Sequence, residues 1–164
     1  MTGVLVLGWG NPSRGDDALG PELVRRVEAL ALERPDWRAH VFLTDFQLQP
    51  EHATDLLDRD LVLFVDAAIH TPAPYSFARV HRARDPSFTT HAMSPAAVLS
   101  VYHQVFEREP PDAYVLAIRG QTFDLGDAMS AAAALHLEAA VTLASHLLDA
   151  PAEIERLLDG ARGD

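Results

Sequence analysis

Residues 3–20 read Gly-Val-Leu-Val-Leu-Gly-Trp-Gly-Asn-Pro-Ser-Arg-Gly-Asp-Asp-Ala-Leu-Gly, and this stretch decides the fold. Residues 4–7 are an apolar run typical of a buried strand, and the glycines after them allow a tight turn close to a ligand. From Ala18 onward, apolar residues at helical spacing predict a helix. Two adjacent carboxylates, Asp16 and Asp17, lie directly before it. The glycine turn is typical of a nucleotide site, but the two acidic side chains would repel phosphate and attract a cation or a proton.

The composition limits the class of protein. The chain has 164 residues, no cysteine and a formal charge of −11. This length fits a single domain over residues 1–164, in which we expect residues 158–164 to be a frayed tail. Without cysteine, a metal would be held by carboxylate, imidazole or backbone oxygen. The charge disfavours nucleic acid and anionic membranes as partners, and no apolar run is long enough to cross a bilayer, so we expect a cytoplasmic protein.

Apolar runs and helical patterns alternate along the chain and predict an α/β fold. We expect strands at residues 4–7, 39–43, 61–65, 76–81 and 114–118, the fourth of them at an edge of the sheet. We expect helices that begin near Ala18, Pro50, Ser94, Ser130 and Ala152. This order predicts three layers, with helices on both faces of a mostly parallel, twisted sheet of about five strands.

In such folds, ligands bind beyond the carboxyl ends of the strands, and this rule selects a few polar residues. They are Asn11, Asp16 and Asp17 after the first strand, Asp66 at the end of the third, and Gly120 and Asp124 after the last. Asp17 alone could be a helix cap, but two adjacent aspartates exceed what one cap needs, so a cap and a cation-binding role are equally open here. Asp66 follows a strongly apolar strand, where an unpaired carboxylate is costly to bury, so a ligand or catalytic role is favoured over a turn.

Two of the eight histidines lie where they could join these carboxylates. His91 lies in a polar loop before a predicted helix, and His70 lies just beyond the third predicted strand. Most histidines have no special role, and the residues alone leave the choice between the two open. The chain has neither a Gly-x-Ser-x-Gly motif nor a lysine-containing phosphate loop, so the acidic residues remain the candidates for chemistry.

Three blocks of the sequence resemble the signatures of the hydrogenase maturation endopeptidases. Residues 7–20 resemble the family's opening signature, Phe-Val-Asp-Ala-Ala at 64–68 its second acidic motif, and Thr-Thr-His-Ala-Met at 89–93 its histidine motif. The similarity runs over residues 4–148. Members of this family remove a short C-terminal extension from the large subunit of nickel–iron hydrogenases after nickel has been inserted.

The resemblance implies a role for individual residues. It places the metal contacts at Asp17, Asp66 and His91, and the catalytic carboxylates at the two aspartates. Other members carry the histidine at the head of the helix that follows Ile-Ser-Pro, where this chain has Ala96. The upstream His91 is therefore assigned, and His70 is kept as the alternative.

The metal implied by the resemblance is nickel, carried by the substrate, although other divalent ions can take the same ligands. We also expect Asn11, Asp16 and Gly10 to contact the substrate peptide. Either the metal polarises water or the scissile carbonyl, or it only positions the peptide while Asp17 or Asp16 acts as general base.

The function expected from the resemblance is therefore an endopeptidase, acting as a monomer on the nickel-loaded large-subunit precursor. The alternative is a non-catalytic binding module or chaperone for the metallated subunit. A third reading, a dinucleotide-binding domain that uses the glycines at residues 8–10, is disfavoured by the acidic pair and by the lack of the lysine of a phosphate loop.

Overall fold

The computed structural model describes residues 3–84 and 93–162. Its strands are β1 (Val4–Trp9), β2 (Val41–Asp45), β3 (Leu61–Ala68), β4 (Tyr75–Val80) and β5 (Asp112–Arg119). Its α-helices are α1 (Leu19–Ala31), α2 (His52–Asp55), α3 (Pro95–Phe106), α4 (Ala131–Asp149) and α5 (Ile154–Arg162). The predicted alternation of strands and helices is confirmed.

The five strands form one sheet in the order β2-β1-β3-β5-β4. The pairs β1–β2, β1–β3 and β3–β5 are parallel, and β4 runs antiparallel to β5 at the edge, where an edge strand was predicted. The chain passes from β1 to β2 in one direction and then crosses to β3 in the other, so the winding reverses between β1 and β3. Because the connections leave this point in opposite directions, they open a crevice beyond the carboxyl ends of the two strands.

Side chains alternate between the two faces of the sheet, and helices cover both faces. On β1, Val4 and Val6 pack in the core formed with α1, α4 and α5, whereas Leu5 and Leu7 pack in the core formed with α2 and α3. All four side chains are fully buried, as is typical of a central parallel strand. The structure therefore confirms the predicted three-layer α/β arrangement.

Helix α4 is long and apolar enough to cross a membrane by length and composition. Its buried residues, among them Leu137, Ala140, Ala144 and Leu147, nevertheless belong to the core that packs against the sheet. These are the contacts of a core helix in a globular domain.

Most element ends differ from the sequence expectations by one or two residues, and two of them differ by more. Strand β3 does not end at Asp66 but continues to Ala68, because β5 provides a pairing partner along this length and places Ala117 opposite Asp66. Helix α5 continues to Arg162, where a frayed tail was expected from residue 158 onward. Leu158 is buried in the core, and this contact extends the helix beyond the predicted end.

The first turn of α1 crosses the sheet at a very short distance. A Cβ on Gly20 would lie 2.6 Å from the carbonyl oxygen of Trp9 and 2.8 Å from that of Val65. Both atoms belong to the backbone of paired strands and have little freedom to move aside. Glycine therefore allows α1 to begin directly above β1 and β3, and it brings the loop before α1 over the crevice.

We expect Gly20→Ala to destabilise the protein by about 1–3 kcal/mol, because the added methyl group overpacks this contact. The matched control is Gly160→Ala in α5, where an added Cβ meets no atom within 4 Å. That change should stabilise the helix by roughly 0.5–1 kcal/mol. Urea unfolding of both variants measures the difference, and equal stabilities of the two would contradict the tight contact.

Candidate active site

The loop between β1 and α1 carries Asp17 to the crevice. Gly15–Ala18 form one turn of 3-10 helix, and Oδ2 of Asp17 accepts a hydrogen bond from the backbone N–H of Asn11 at 2.6 Å. Gly10 has a φ of 147°, and a Cβ there would lie 2.0 Å from the backbone oxygen of Asp17. Glycine is therefore required at position 10 for the loop to fold back over the end of β1. The Asp17 carboxylate remains partly exposed.

Asn11 shapes the same loop. Its Oδ1 accepts a hydrogen bond from the backbone N–H of Ser13 at 2.9 Å, which is an Asx turn. Asn11 and Gly10 thus both lie beside Asp17 and hold its loop in place. Their contact with a substrate peptide stays a prediction.

Asp66 lies in β3 one residue beyond the last pair with β1, which joins Gly8 to Val65. Burial raises the pKa of Asp66 to about 7; the charge of Asp17 adds to this rise, and a hydrogen bond from the backbone N–H of Ala67 opposes it. The turn of 3-10 helix that carries Asp17 contacts β3, and the charge of Asp17 adds to the raised pKa of Asp66, so the two carboxylates lie in the same part of the crevice. The structure therefore brings together the two predicted catalytic aspartates.

Asp16 has a different environment from its neighbour. It is fully buried, and its carboxylate accepts hydrogen bonds from the backbone N–H groups of Gln121 (2.7 Å), Thr122 (3.1 Å) and Ser130 (2.7 Å) and from the Ser130 hydroxyl (2.7 Å). Burial alone would raise the pKa of Asp16, but these hydrogen bonds together lower it. Asp16 therefore joins the first loop to the loop between β5 and α4. We assign it this structural role in place of the predicted substrate contact.

The third predicted metal contact, His91, lies outside the described residues. Met93, two positions later in the chain, is buried in the same core cluster as Phe64. Alternation along β3 places Asp66 on that same face of the sheet. The alternative residue, His70, is exposed just beyond the end of β3. Within the described part of the chain, no group of three or more His, Asp or Glu side chains is arranged to hold a metal ion.

Asp45 is an acidic residue at this edge that the sequence analysis missed. It ends β2 beside β1, and its backbone oxygen accepts a hydrogen bond from the N–H of Gly10 at 3.1 Å. Its Oδ2 lies 3.2 Å from Nε2 of His52, and it lines a cavity of about 250 Å³ together with Pro12 and Phe46. Its place at the end of a strand is the signal that could have identified it, since the same signal selected Asp66.

The pKa of Asp66 predicts a characteristic dependence of stability on pH in the metal-free protein. Below its ordinary pKa of 3.8, the carboxyl group is protonated in both the folded and the unfolded chain and costs nothing. Between this value and about 7, the unfolded chain ionises first, so the free energy of unfolding falls as the pH rises.

We therefore expect Asp66→Asn to be more stable than the parent chain at pH 8, by on the order of 4 kcal/mol, since the pKa rises from 3.8 to about 7 and each pH unit contributes about 1.4 kcal/mol. The advantage should vanish near pH 4. Urea unfolding across this range measures it, with Asp124→Asn as an exposed control. A constant difference between pH 4 and pH 8 would contradict the raised pKa.

Known proteins match this chain in fold but only weakly in sequence. Neither a protein-family model nor a curated protein matches this chain. Among solved structures, the nickel–iron hydrogenase maturation protease HycI from Thermococcus kodakarensis KOD1 matches with a TM-score of 0.70 and 21% identity, over 90% of this chain and 93% of that one. The hydrogenase maturating endopeptidase HybD from E. coli matches with a TM-score of 0.65 and 22% identity, over 92% and 94%.

A hydrogenase 2 maturation peptidase from Thaumarchaeota archaeon SCGC_AB-539-E09 matches with a TM-score of 0.63 and 19% identity, over 91% of this chain and 99% of that one. At sequence identities of 19–22%, the structural similarity establishes a shared backbone fold. It extends over nine-tenths of the chain and supports the resemblance first seen in three short sequence blocks. This chain has the α/β fold of the nickel–iron hydrogenase maturation proteases.

Proposed function

We propose that this chain is an endopeptidase that removes the C-terminal extension from the nickel-loaded large-subunit precursor of a nickel–iron hydrogenase. The observation that carries the proposal is the meeting of Asp17 and Asp66 at the winding reversal between β1 and β3. The chain that carries this pair has the same fold as HycI and HybD, which are described as a maturation protease and a maturating endopeptidase. The sequence block around His91 adds support. We place the reaction in the cytoplasm, with the chain acting as a monomer.

Nickel enters this proposal as part of the substrate. Asp17, Asp66 and His91 would together offer carboxylate oxygen and imidazole nitrogen, a ligand set that suits nickel and other borderline divalent ions. The precursor's own ligands would occupy the other coordination positions. A cation beside Asp66 also offsets the cost of ionising that carboxylate next to Asp17. Binding therefore distinguishes a precursor that has received its metal from one that has not.

Hydrolysis of the extension needs an attacking water, a polarised carbonyl group and a proton for the departing amine. Because Asp16 is buried and its carboxylate is hydrogen-bonded on both oxygens, the proposal assigns the general base to Asp17. Asp17 takes a proton from the water while the oxygen of that water forms a bond to the scissile carbonyl carbon. The same proton passes to the amine nitrogen as the C–N bond breaks. The nickel site of the precursor holds the peptide in place during these steps.

We expect Asp17→Ala, Asp66→Ala and His91→Ala each to slow processing by at least about 100-fold, because each removes a group from the reacting centre. His70→Ala and Asp124→Ala are matched controls from the same edge and should process at the parental rate. The mass of the large subunit before and after incubation measures processing, and circular dichroism verifies the fold of each variant.

The outcomes of this alanine series separate the alternatives. Loss of processing in His70→Ala but not in His91→Ala would assign the imidazole to His70. A parental protein that binds the precursor without shortening it would be a binding module and no peptidase. Full processing by both folded aspartate variants would remove the proposed site.

Metal recognition predicts that the precursor is cleaved only after nickel insertion. Precursor isolated from nickel-starved cells should be processed at least about 100-fold more slowly, because the peptide is then not positioned. Reloading this precursor with nickel should restore the rate. Equal rates for starved and loaded precursor would contradict metal recognition, while leaving the peptidase activity in place.

A further inference from the structure

Several large apolar side chains are exposed to solvent, and half of them lie at one edge of the molecule. In the described part of the chain they are Leu32, Phe46, Ile69, Val105, Leu125 and Leu135. Phe46 (68% exposed) follows β2, Ile69 (47%) follows β3, and Leu125 (68%) lies in the loop after β5. Single exposed apolar residues are ordinary, but three in the loops of one sheet edge form a concentration that calls for a cause.

The strand order places these three side chains around the crevice. Phe46 follows β2 on one side of β1, whereas Ile69 and Leu125 follow β3 and β5 on the other side. Since neighbouring strands lie about 4.8 Å apart, the loops after β2 and β5 are separated by roughly 15 Å. The crevice with its two aspartates lies between them. A protein that reaches this crevice therefore passes all three apolar side chains.

Contacts with the loop before α1 tie two of these residues to the site. Phe46 lines the same cavity as Pro12 and Gly10. Gly126, the residue after Leu125, donates a backbone hydrogen bond to the oxygen of Ser13 at 2.7 Å. Phe46 and Leu125 are thus carried by segments that contact the loop of Asp17.

The charges at this edge indicate the chemistry of the partner. Among the described residues, the loops after β1, β2 and β5 and the ends of β2, β3 and β5 carry seven acidic residues (Asp16, Asp17, Asp45, Glu51, Asp66, Asp124 and Asp127) and two arginines (Arg14 and Arg119). Arg119 is partly buried and donates a hydrogen bond to the backbone oxygen of Thr71 at 2.8 Å. The chain as a whole has a formal charge of −11. A complementary surface is therefore apolar at its centre and bordered by lysine and arginine.

We propose that Phe46, Ile69 and Leu125, named here the apolar rim, dock the folded body of the protein substrate, at a patch of apolar side chains flanked by basic ones. This inference rests on the proposed function, because a protease acting on one large subunit needs contacts beyond the peptide that it cuts. Burial of the apolar rim supplies affinity, and the surrounding carboxylates orient the incoming basic surface.

The test compares the rim variant, Phe46→Gln with Ile69→Gln and Leu125→Gln, with a control variant, Leu32→Gln with Val105→Gln. The two control residues are also apolar and exposed (87% and 62%), but they lie at the ends of α1 and α3 that lead to the opposite edge of the sheet. The probe is the nickel-loaded large-subunit precursor of the nickel–iron hydrogenase encoded in the same genome. Both variants are placed in an Asp17→Asn background, so that binding is measured without cleavage.

We expect the rim variant to bind the precursor with a Kd at least tenfold higher than the Asp17→Asn chain, and the control variant to bind within twofold of it. With Asp17 restored, the rim variant should show a raised KM and an unchanged kcat, since the rim lies away from the scissile bond. Equal Kd values for the rim and control variants would overturn the proposal.

Other outcomes separate this proposal from the proposed function. If the parental chain binds the precursor and never cleaves it, the peptidase assignment fails, and the Kd comparison still decides whether the apolar rim is the docking surface. If the parental chain does not bind the precursor, both are overturned. If the rim variant converts a dimer of this chain into monomers in sedimentation, the surface joins two copies, and the docking proposal is overturned.

Discussion

The close approach of α1 to the sheet is the contact on which the site depends. The helix begins directly above the carbonyl oxygens of Trp9 and Val65, because residue 20 has no side chain. A helix held one methyl group farther out would lift the preceding loop and separate Asp17 from Asp66. Since the strands beneath are paired on both sides and packed on both faces, they cannot follow such a shift. The absence of a side chain at residue 20 therefore helps to keep the two carboxylates in the same part of the crevice.

Asp66 shows that this arrangement is kept at the expense of stability. The strand places a carboxylate where burial and the charge of Asp17 both oppose its ionisation. An apolar or amide side chain would fit the same position at lower cost. In the proposed function, a cation brought by the substrate would reduce this repulsion, and that relief would add to its binding free energy. The cost of ionising Asp66 would then favour a partner that brings positive charge.

Local patterns predicted much of this fold, because the relevant signals lie within short segments. The buried runs of β1 and β3 were evident from consecutive apolar residues, and Ser94 and Ser130 cap α3 and α4 as their sequence positions indicated. The strand-end rule also selected Asp66, which lies close to the reversal between β1 and β3, although β3 continues to Ala68. That extension depends on pairing with β5, which no local pattern encodes.

Asp16 was harder to interpret, because its partners are remote in sequence. In the sequence, Asp16 was interpreted as one member of an acidic pair with Asp17. Only the folded chain reveals that its carboxylate oxygens accept hydrogen bonds from Gln121, Thr122 and Ser130. Two adjacent residues of the same type thus have opposite roles, one buried and fully bonded and the other open to the crevice. Asp45 was missed because the second strand was expected to end at residue 43, two positions before the observed end of β2 at Asp45.

The hydrogen bonds of Asp16 join residues between 105 and 114 positions apart. A polypeptide leaves the ribosome from its N-terminus, so this aspartate emerges long before the amides that will surround it. A carboxylate without those donors is too costly to bury, and it remains hydrated while the chain grows. The loop beside it settles only after residues 121–130 have left the ribosome. In a growing chain, the loop that carries Asp17 is therefore not held in place until translation is nearly complete.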